Sequence, residues 1–340
     1  MKALDAVDVP AGSRGFTWIP VTTTARGSEL QLPLHIANGS EGGPTLGLCS
    51  VVHGDAMYPI EIVRNVLERV DLNKLRGRIL AIPVANPVAF ESGTRVTGLG
   101  LDTDKNNLNR VFPGNPAGWL TEKIAFAITE HFFSELDYLI DFHCGGLDHA
   151  IDYTRVDKPP TPYGDRVLEA SRMYGSEVLC IMEYESARRD FPGTLTGLAE
   201  ERGVVAVLSE IGGNMMFDDP KYLQRTTEGV FNVMRYCGML EGEAVLPEKQ
   251  IVIHERCLFR PLRGGLFYPR VGYDKLAQTV PGGTVLAEVV SPYTFETLEV
   301  MTAPYESTML ISMRGDFSRV NPGDYAYILG NASTADLLSA

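Results

Sequence analysis

Residues 44–56 read PTLGLCSVVHGDA, and they set a pattern that continues along the longer part of the chain. An apolar run with the composition of a buried strand ends in the polar turn His53-Gly54-Asp55. The segment that follows, Pro59 to Val70, has apolar residues at helical spacing. The stretch therefore predicts a buried strand, a polar turn and a helix that covers the strand.

The same alternation of strand and helix continues downstream. Apolar runs predict further strands at 28–37, 78–84, 138–142 and 204–209, and helical spacing predicts helices at 121–136, 165–174, 195–202 and 222–239. Strands that alternate with helices indicate an α/β fold with a mostly parallel, mixed sheet covered on both faces.

The pattern changes near residue 245, where short strands and Gly/Pro turns replace helices. Turns such as Pro281-Gly282-Gly283 and Asn321-Pro322-Gly323 are typical of a small all-β module. We therefore predict an α/β domain over residues 1–245. A C-terminal β domain, similar to a barrel-sandwich hybrid, is predicted over 246–340.

Composition narrows the class of protein. The formal net charge of −13 argues against non-specific nucleic-acid binding, which needs a basic surface. No apolar run is long enough to cross a membrane, and the N-terminus lacks a signal-peptide core. The five cysteines are widely spaced, which favours reduced thiols in a cytoplasmic protein. The sequence leaves the oligomeric state open, with a homo-oligomer among the options.

Chemically capable side chains stand at the ends of the predicted strands. His53, His143 and Glu210 each follow an apolar run, and in open α/β sheets sites form at the carboxyl ends of strands. Arg95, Asn109 and Arg110 lie between residues 91 and 116, in a long segment with little periodicity that is typical of functional loops. We therefore expect these side chains to form one site. Cys144 directly follows His143, but no second histidine is placed to activate it as a nucleophile.

The text of these segments resembles the succinylglutamate desuccinylase/aspartoacylase family of zinc carboxypeptidase-like hydrolases. The matching segments are His53-Gly54-Asp55, Asn86-Pro87-Val88-Ala89-Phe90, Arg95, Asn107-Leu108-Asn109-Arg110-Val111-Phe112-Pro113-Gly114, Asp141-Phe142-His143 and Ser209-Glu210-Ile211-Gly212-Gly213. The NLNRVFPG stretch is the most specific of them. Within the family, the chain is similar to the N-acetyl-diaminobutyrate deacetylases.

The resemblance implies a role for each matching residue. His53 and His143 would bind one Zn²⁺ per chain, and Glu210 would be the general base and acid. Arg95 would polarise the scissile carbonyl. Asn109 and Arg110 would hold a substrate carboxylate, which suits the two-pronged geometry of guanidinium. The implied partner is a small amide that bears a carboxylate.

One position departs from the family pattern. The family places a glutamate ligand where this chain has Ala56, and a methyl group cannot bind zinc. Asp55, Glu61 and Asp148 are the nearby carboxylates that could replace it. The sequence does not separate a natural departure from an engineered Glu-to-Ala change.

Two classes of function follow from this departure. The first is a zinc-dependent hydrolase that cleaves the amide bond of a small N-acyl amino acid or a related amide. The alternative is a non-catalytic ligand-binding pseudoenzyme of the same fold, in which Ala56 has abolished the chemistry. A peptide-cutting carboxypeptidase is less favoured, since the C-terminal domain in this family narrows the entrance.

Overall fold

The structure, a computed structural model, describes residues 8–98, 104–213, 216 and 219–339. The N-terminal strands are β1 (Arg14–Thr23), β2 (Glu29–Asn38), β3 (Glu41–Cys49), β4 (Arg76–Ile82), β5 (Tyr138–His143), β6 (Ala150–Asp157), β7 (Val178–Met182) and β8 (Val205–Gly212). The helices are α1 (Pro59–Arg69), α2 (Pro87–Ser92), α3 (Leu120–His131), α4 (Pro162–Tyr174), α5 (Tyr184–Asp190), α6 (Leu195–Arg202) and α7 (Pro220–Tyr236). Among the described residues, none of these helices is long and apolar enough to cross a membrane.

The strands of the C-terminal part are shorter. They are β9 (Lys249–Ile253), β10 (Arg256–Phe259), β11 (Gly265–Pro269), β12 (Thr279–Pro281), β13 (Val285–Val290), β14 (Thr297–Thr302), β15 (Ser307–Met313), β16 (Ser318–Val320), β17 (Tyr327–Asn331) and β18 (Asp336–Ser339). Four of them form a separate antiparallel sheet in the order β14-β13-β11-β16.

The large sheet has 14 strands and extends into the C-terminal part. Its main path runs β1-β2-β4-β3-β5-β8-β6-β15-β17-β10, and the segment β4-β3-β5-β8 is parallel. Strand β6 joins β8 antiparallel and pairs through Ile151 and Ala150 with β15. Strands from before and after residue 245 are thus hydrogen-bonded in one sheet, and the division at that residue stays a prediction.

Helices cover the parallel strands on both faces. Ile62 of α1, Val167 of α4 and Phe231 of α7 belong to one apolar cluster, and Ile128 of α3 and Leu198 of α6 belong to another. Both faces of the parallel strands are therefore buried, which explains their continuous apolar runs. The predicted α/β class with a mixed, mostly parallel sheet and a C-terminal β part is confirmed.

The helix ends follow from local sequence. Thr194 accepts a hydrogen bond from the Gly197 amide at the start of α6, and Gly203 ends that helix with φ of 74°. Pro59 starts α1, where its missing N–H costs nothing. These residues fix α1 and α6 close to their predicted limits.

Candidate active site

Parallel pairing brings the predicted strand-end residues to one edge of the sheet. His143 is the last residue of β5 and lies opposite Glu210 of β8 in the register. His53 lies beyond the end of β3, the neighbour of β5 on the other side. A cavity of about 380 Å³ opens here, a size that suits a small molecule. Its walls include all the predicted site residues, namely His53, Arg95, Asn109, Arg110, His143 and Glu210.

The turn that carries His53 has a strained backbone. Val51 has φ of 54°, a conformation that is unfavourable for a β-branched side chain. Backbone hydrogen bonds from Ala85 to Ser50 and from Asn86 to Val51, both 3.0 Å long, hold the chain there. Gly54 follows, and a Cβ at that position would lie 2.1 Å from the carbonyl carbon of Ala89. A glycine is therefore required at position 54 by the close packing of this turn against α2.

The two histidines face each other in the wall of the cavity. Nδ1 of His143 lies 3.2 Å from Nδ1 of His53, and both side chains are buried. Zinc binds imidazole nitrogen at about 2.0–2.1 Å. The two ligating nitrogens of a pair of imidazoles on one tetrahedral ion therefore lie about 3.3 Å apart. Nε2 of His53 is buried and makes no hydrogen bond to the described residues. The pair fits two corners of a zinc site.

The surrounding groups shift the pKa values of the two histidines in opposite directions. Burial, Arg95 and His143 hold the pKa of His53 well below its ordinary value. Burial also lowers the pKa of His143, but the charge and hydrogen bond of Asp141 outweigh it and raise that pKa. His53 is thus held in the neutral form that metal binding requires.

Asp141 fixes the orientation of His143, and Asn109 lies against the same edge of the ring. Oδ2 of Asp141 and Nδ2 of Asn109 each lie 3.3 Å from Nε2 of His143. An Nε2–H donated to Asp141 leaves the Nδ1 lone pair directed at His53. Asn109 also accepts a 2.9 Å hydrogen bond from the Leu195 amide at the start of α6. The amide predicted to hold a substrate carboxylate thus also links His143 to α6, and its carboxylate role stays a prediction.

We expect Asp141→Asn to weaken zinc binding by about 10–100-fold, the usual effect of losing such a supporting group. Asparagine keeps the size but loses the charge that orients Nε2–H. Competition with a colorimetric chelator measures the affinity, and Asp137→Asn, outside the cavity, is the matched control. Equal zinc affinities in the two variants would contradict the supporting role of Asp141.

The methyl group of Ala56 is buried and is not part of the cavity wall. Its exposed fraction is 1%, and it belongs to the apolar cluster that includes Tyr58, Ile62 and Phe142. Among the described residues, no group of three or more His, Cys, Asp or Glu side chains could hold a metal ion. The structure therefore supplies two imidazoles but no complete three-ligand site.

The three nearby carboxylates differ in their placement. Glu61 is directed away from the cavity and forms an ion pair with Arg64 on α1. Asp148 lines the cavity but is largely exposed and lies 3.6 Å from Arg314. Asp55 lines the cavity next to His53, and burial raises the pKa of its carboxyl. Of the three carboxylates, Asp55 is the one that lies on the His53 turn and lines the cavity.

Cys144 has the properties of a structural thiol. It is buried, and burial raises its pKa to about 12. A thiol with this pKa is protonated at neutral pH and is a weak nucleophile. The metal interpretation of His143 therefore remains preferable to a thiol mechanism.

The cationic side chains occupy another part of the wall. The Arg110 guanidinium stacks on Phe191 at 5.0 Å from the ring centroid and donates a 2.6 Å hydrogen bond to the carbonyl of Asn109. Burial and the charges of Arg95 and Arg155 lower its pKa. Arg95 is exposed at the mouth, and its carbonyl accepts a hydrogen bond from Gly54. Both guanidinium groups face the space that Glu210 also lines.

Several residues of the cavity were not predicted from the sequence. Arg155 comes from β6, which was not predicted although Ile151, Tyr153 and Thr154 have strand-forming character. The C-terminal strands and turns add a further wall, made of Arg256, Leu258, Ser312, Tyr325, Tyr327 and Ile328. The local sequence does not indicate that these residues belong to the site, because the large sheet shared with β6 brings them there. His149 also lines the cavity, and its Nε2 lies 2.9 Å from the Tyr325 carbonyl oxygen.

Comparison with known proteins agrees with this architecture. The structure of the product-bound ectoine utilization protein EutE (DoeB) from Ruegeria pomeroyi is similar, with a TM-score of 0.82, 22% identity, and coverage of 96% of this chain and 97% of that one. A succinylglutamate desuccinylase from Silicibacter sp. TM1040 has a TM-score of 0.79 and 24% identity over 95% and 97% of the two chains. These likenesses show the fold.

Sequence comparison is more specific. The N-alpha-acetyl-L-2,4-diaminobutyric acid deacetylase of Halomonas elongata is 29% identical over 289 residues, which cover 81% of this chain and 79% of that protein. The model of the succinylglutamate desuccinylase/aspartoacylase catalytic domain matches residues 42–237, more than half of the chain. This chain therefore belongs to the succinylglutamate desuccinylase/aspartoacylase family.

Proposed function

We propose that the chain is a hydrolase that cleaves the amide bond of a small N-acyl amino acid, with one Zn²⁺ per chain. The observation that carries the proposal is the meeting of a carboxylate, two facing imidazoles and two arginines around one cavity of about 380 Å³. The deacetylase from Halomonas elongata supports an N-acyl amino acid as the substrate class. Residues of the C-terminal strands form one wall of the cavity, and its volume suits a small substrate better than a peptide.

Glu210 is the proposed general base and acid. Its carboxylate lines the cavity and lies opposite His143 in the strand register. It would take a proton from the attacking water and later give it to the leaving nitrogen, a role that requires a half-exposed carboxylate close to the carbonyl. Its charge acts on His143 and on Arg155, which agrees with a central position in the site.

Arg95 and Arg110 are proposed to bind the negatively charged groups that the substrate carries or forms during the reaction. Arg95, at the mouth beside the His53 turn, would stabilise the oxyanion that forms on the scissile carbonyl. Arg110, fixed by Phe191 and by the Asn109 carbonyl, would hold the substrate carboxylate. When Arg110 binds the substrate carboxylate, the amide bond would lie between the two arginines and Glu210.

His53 and His143 would hold the zinc, which when bound lowers the pKa of water to about 7 and polarises the carbonyl. The distance of 3.2 Å between their Nδ1 atoms supports this assignment. The third ligand of the family pattern is replaced by the buried Ala56. We therefore expect weaker zinc binding than in a relative with three protein ligands.

The burial of Ala56 also favours a second candidate, a non-catalytic protein that binds the same small molecules. Both candidate functions include binding of the substrate carboxylate by Arg110, but only the hydrolase cleaves the amide. The test combines zinc analysis of the purified chain with a panel of N-acyl amino acids, followed by chromatographic detection of the released amine. Binding of panel members without amine release, in zinc-supplemented buffer, would favour the binding protein.

Arg110→Ala should mainly raise KM, since it removes a contact that the substrate makes before and during the reaction. We expect a rise of about 10–100-fold, the range for a lost charge-assisted hydrogen bond. Steady-state kinetics on the best panel substrate measure it, and Arg202→Ala, on the exposed end of α6, is the control. An unchanged KM for a carboxylate-bearing substrate would reject this role of Arg110.

A further inference from the structure

A second cavity adjoins the one that holds the candidate site. Its volume is about 200 Å³, and its lining comes mainly from α4, α5, α6, β6 and β8. The residues that line both cavities are Arg155, Asp157, Phe191, Thr194, Thr196 and Leu208. The two spaces therefore meet along a shared wall.

The second cavity continues the first along the same face of the sheet. Side chains two residues apart on a strand point to the same face. On β8, Glu210 and Leu208 line the first cavity, and Leu208 and Ala206 line the second. Since a strand rises about 3.3 Å per residue, Ala206 lies about 13 Å along the strand from Glu210. A ligand at Glu210 can reach the second cavity only with an extended tail.

Phe191 is the largest apolar side chain of the shared wall. It directly follows α5, where its amide donates a 3.0 Å hydrogen bond to the carbonyl of Ala187. Gly193, two residues on, packs so closely that a Cβ there would lie 2.4 Å from the carbonyl oxygen of Arg110. Its own carbonyl accepts a 3.1 Å hydrogen bond from the amide of Phe112. These contacts fix the backbone that carries the ring.

Two guanidinium groups hold the ring itself. Arg110 and Arg155 lie 5.0 Å and 4.5 Å from the centroid of Phe191, within the range of a cation–π contact. The Nε of Arg155 also donates a 2.8 Å hydrogen bond to Asp157, which keeps Arg155 in place independently of the ring. The ring of Phe191 is thus a fixed obstacle between the two cavities, and a substitution can remove it without releasing Arg155.

The charged groups around the second cavity are paired with one another. Arg188 lies 3.5 Å from a carboxylate oxygen of Glu200 and 3.6 Å from one of Glu201. The hydroxyl of Tyr163 donates a 2.8 Å hydrogen bond to the carbonyl of Val204. The space therefore suits an uncharged tail. Apolar side chains supply much of the remaining lining, namely Phe112, Pro113, Val167, Leu198, Ala206 and Leu208.

Arg110 indicates which end of the substrate meets the ring. Under the proposed function its guanidinium binds the substrate carboxylate, and the same guanidinium contacts Phe191. The carboxylate and the side chain of an amino acid share one Cα, so the side chain lies next to the ring. The acyl group lies on the other side of the amide nitrogen.

We propose that Phe191 limits the length of the amino-acid side chain that the cavity accepts, so that the substrate is an N-acyl derivative of an amino acid with a short side chain. The second cavity is the space that the ring keeps from the substrate. This inference rests on the proposed function for the kind of ligand, but the length limit itself is a property of binding.

Calorimetric binding of sulfonamide analogues tests the limit, because a sulfonamide is not cleaved as an amide is. N-methylsulfonyl-2-aminobutyrate has a short side chain, and N-methylsulfonyl-2-aminooctanoate has four more methylene groups. We expect the parent chain to bind the short analogue at least about tenfold more tightly, since the added methylenes meet the ring. Phe191→Ala should reverse this order, because each methylene that enters an apolar space raises the binding constant about fourfold.

The two analogues are compared within each variant, which cancels the general loss of affinity when Arg110 loses its stacking partner. Val167→Ala is the control, because it enlarges the second cavity and leaves the ring in place; it should keep the parental order. Phe191→Leu removes less of the side chain and should shift the order in the same direction by a smaller factor. N-pentylsulfonyl-2-aminobutyrate, an isomer of the long analogue with the added methylenes on the sulfonyl side, should not gain from Phe191→Ala.

A parental order in both Phe191→Ala and Phe191→Leu, in variants that unfold at the parent temperature, would overturn the length limit. A gain in Phe191→Ala for the pentylsulfonyl isomer in place of the aminooctanoate would overturn the assignment to the amino-acid side chain. A reversed order in a chain that hydrolyses no N-acyl amino acid would support the limit and contradict the proposed hydrolysis alone.

Discussion

Glu210→Gln is expected to lower the rate constant for amide hydrolysis by about 10²–10⁴-fold, the usual contribution of general acid–base catalysis. Glutamine keeps the size and the hydrogen bonding of glutamate but cannot accept a proton from water. Because Glu210 lines the cavity without belonging to the histidine pair, zinc and carboxylate binding should change little. Steady-state kinetics and calorimetry on the same preparation measure both quantities.

The control for this variant is Glu130→Gln, an exposed glutamate near the end of α3 that makes the same change of charge. It should hydrolyse the substrate at the parent rate. The prediction extends to the Ala56→Glu background, where the loss should have the same size. Near-normal turnover in Glu210→Gln would mean that another group moves the proton.

Ala56→Glu is expected to raise zinc affinity by at least about 10–100-fold, since a direct ligand should matter no less than a supporting group. The buried position adds a second expectation. A larger, charged side chain in this apolar cluster costs about 1–3 kcal/mol through overpacking alone, so the metal-free variant should unfold at a lower temperature than the parent. Zinc binding to the native state should then restore stability.

Ala56→Gln separates the two effects, because it adds the same volume without a charge. We expect both variants to lose stability without metal, and zinc to raise the unfolding temperature of Ala56→Glu more than that of Ala56→Gln. Amide hydrolysis should increase in the glutamate variant alone. If zinc stabilised the two variants equally, the missing-ligand interpretation would be wrong.

The parallel core could be predicted because its signals are local and repeated. The runs that became β3, β5 and β8 are mostly apolar and buried, and each ends close to a polar residue of the site. Glu210 lies inside β8 instead of after it, since pairing with β6 through Tyr153 extends that strand to Gly212. The position of the site at the sheet edge was therefore predictable, but the exact strand limits were not.

Other features depend on contacts between distant segments. Strand β1 was missed because its alternating pattern includes exposed Phe16 and Trp18, whose rings pack edge to face with their centroids 5.1 Å apart. Arg256 lines the cavity because β15, β17 and β10 continue the large sheet from β6. Sequence periodicity carries no information about such contacts.

Isotope incorporation from ¹⁸O-labelled water tests most directly whether the chain hydrolyses an amide in this cavity. The zinc-supplemented chain is incubated with the N-acyl amino acid that binds most tightly, and mass spectrometry follows the released acid. We predict release of the amine together with an acid that carries one ¹⁸O, at a rate that falls in Glu210→Gln. Tight binding with no release of acid or amine above the protein-free rate would contradict hydrolysis and identify the chain as a ligand-binding protein.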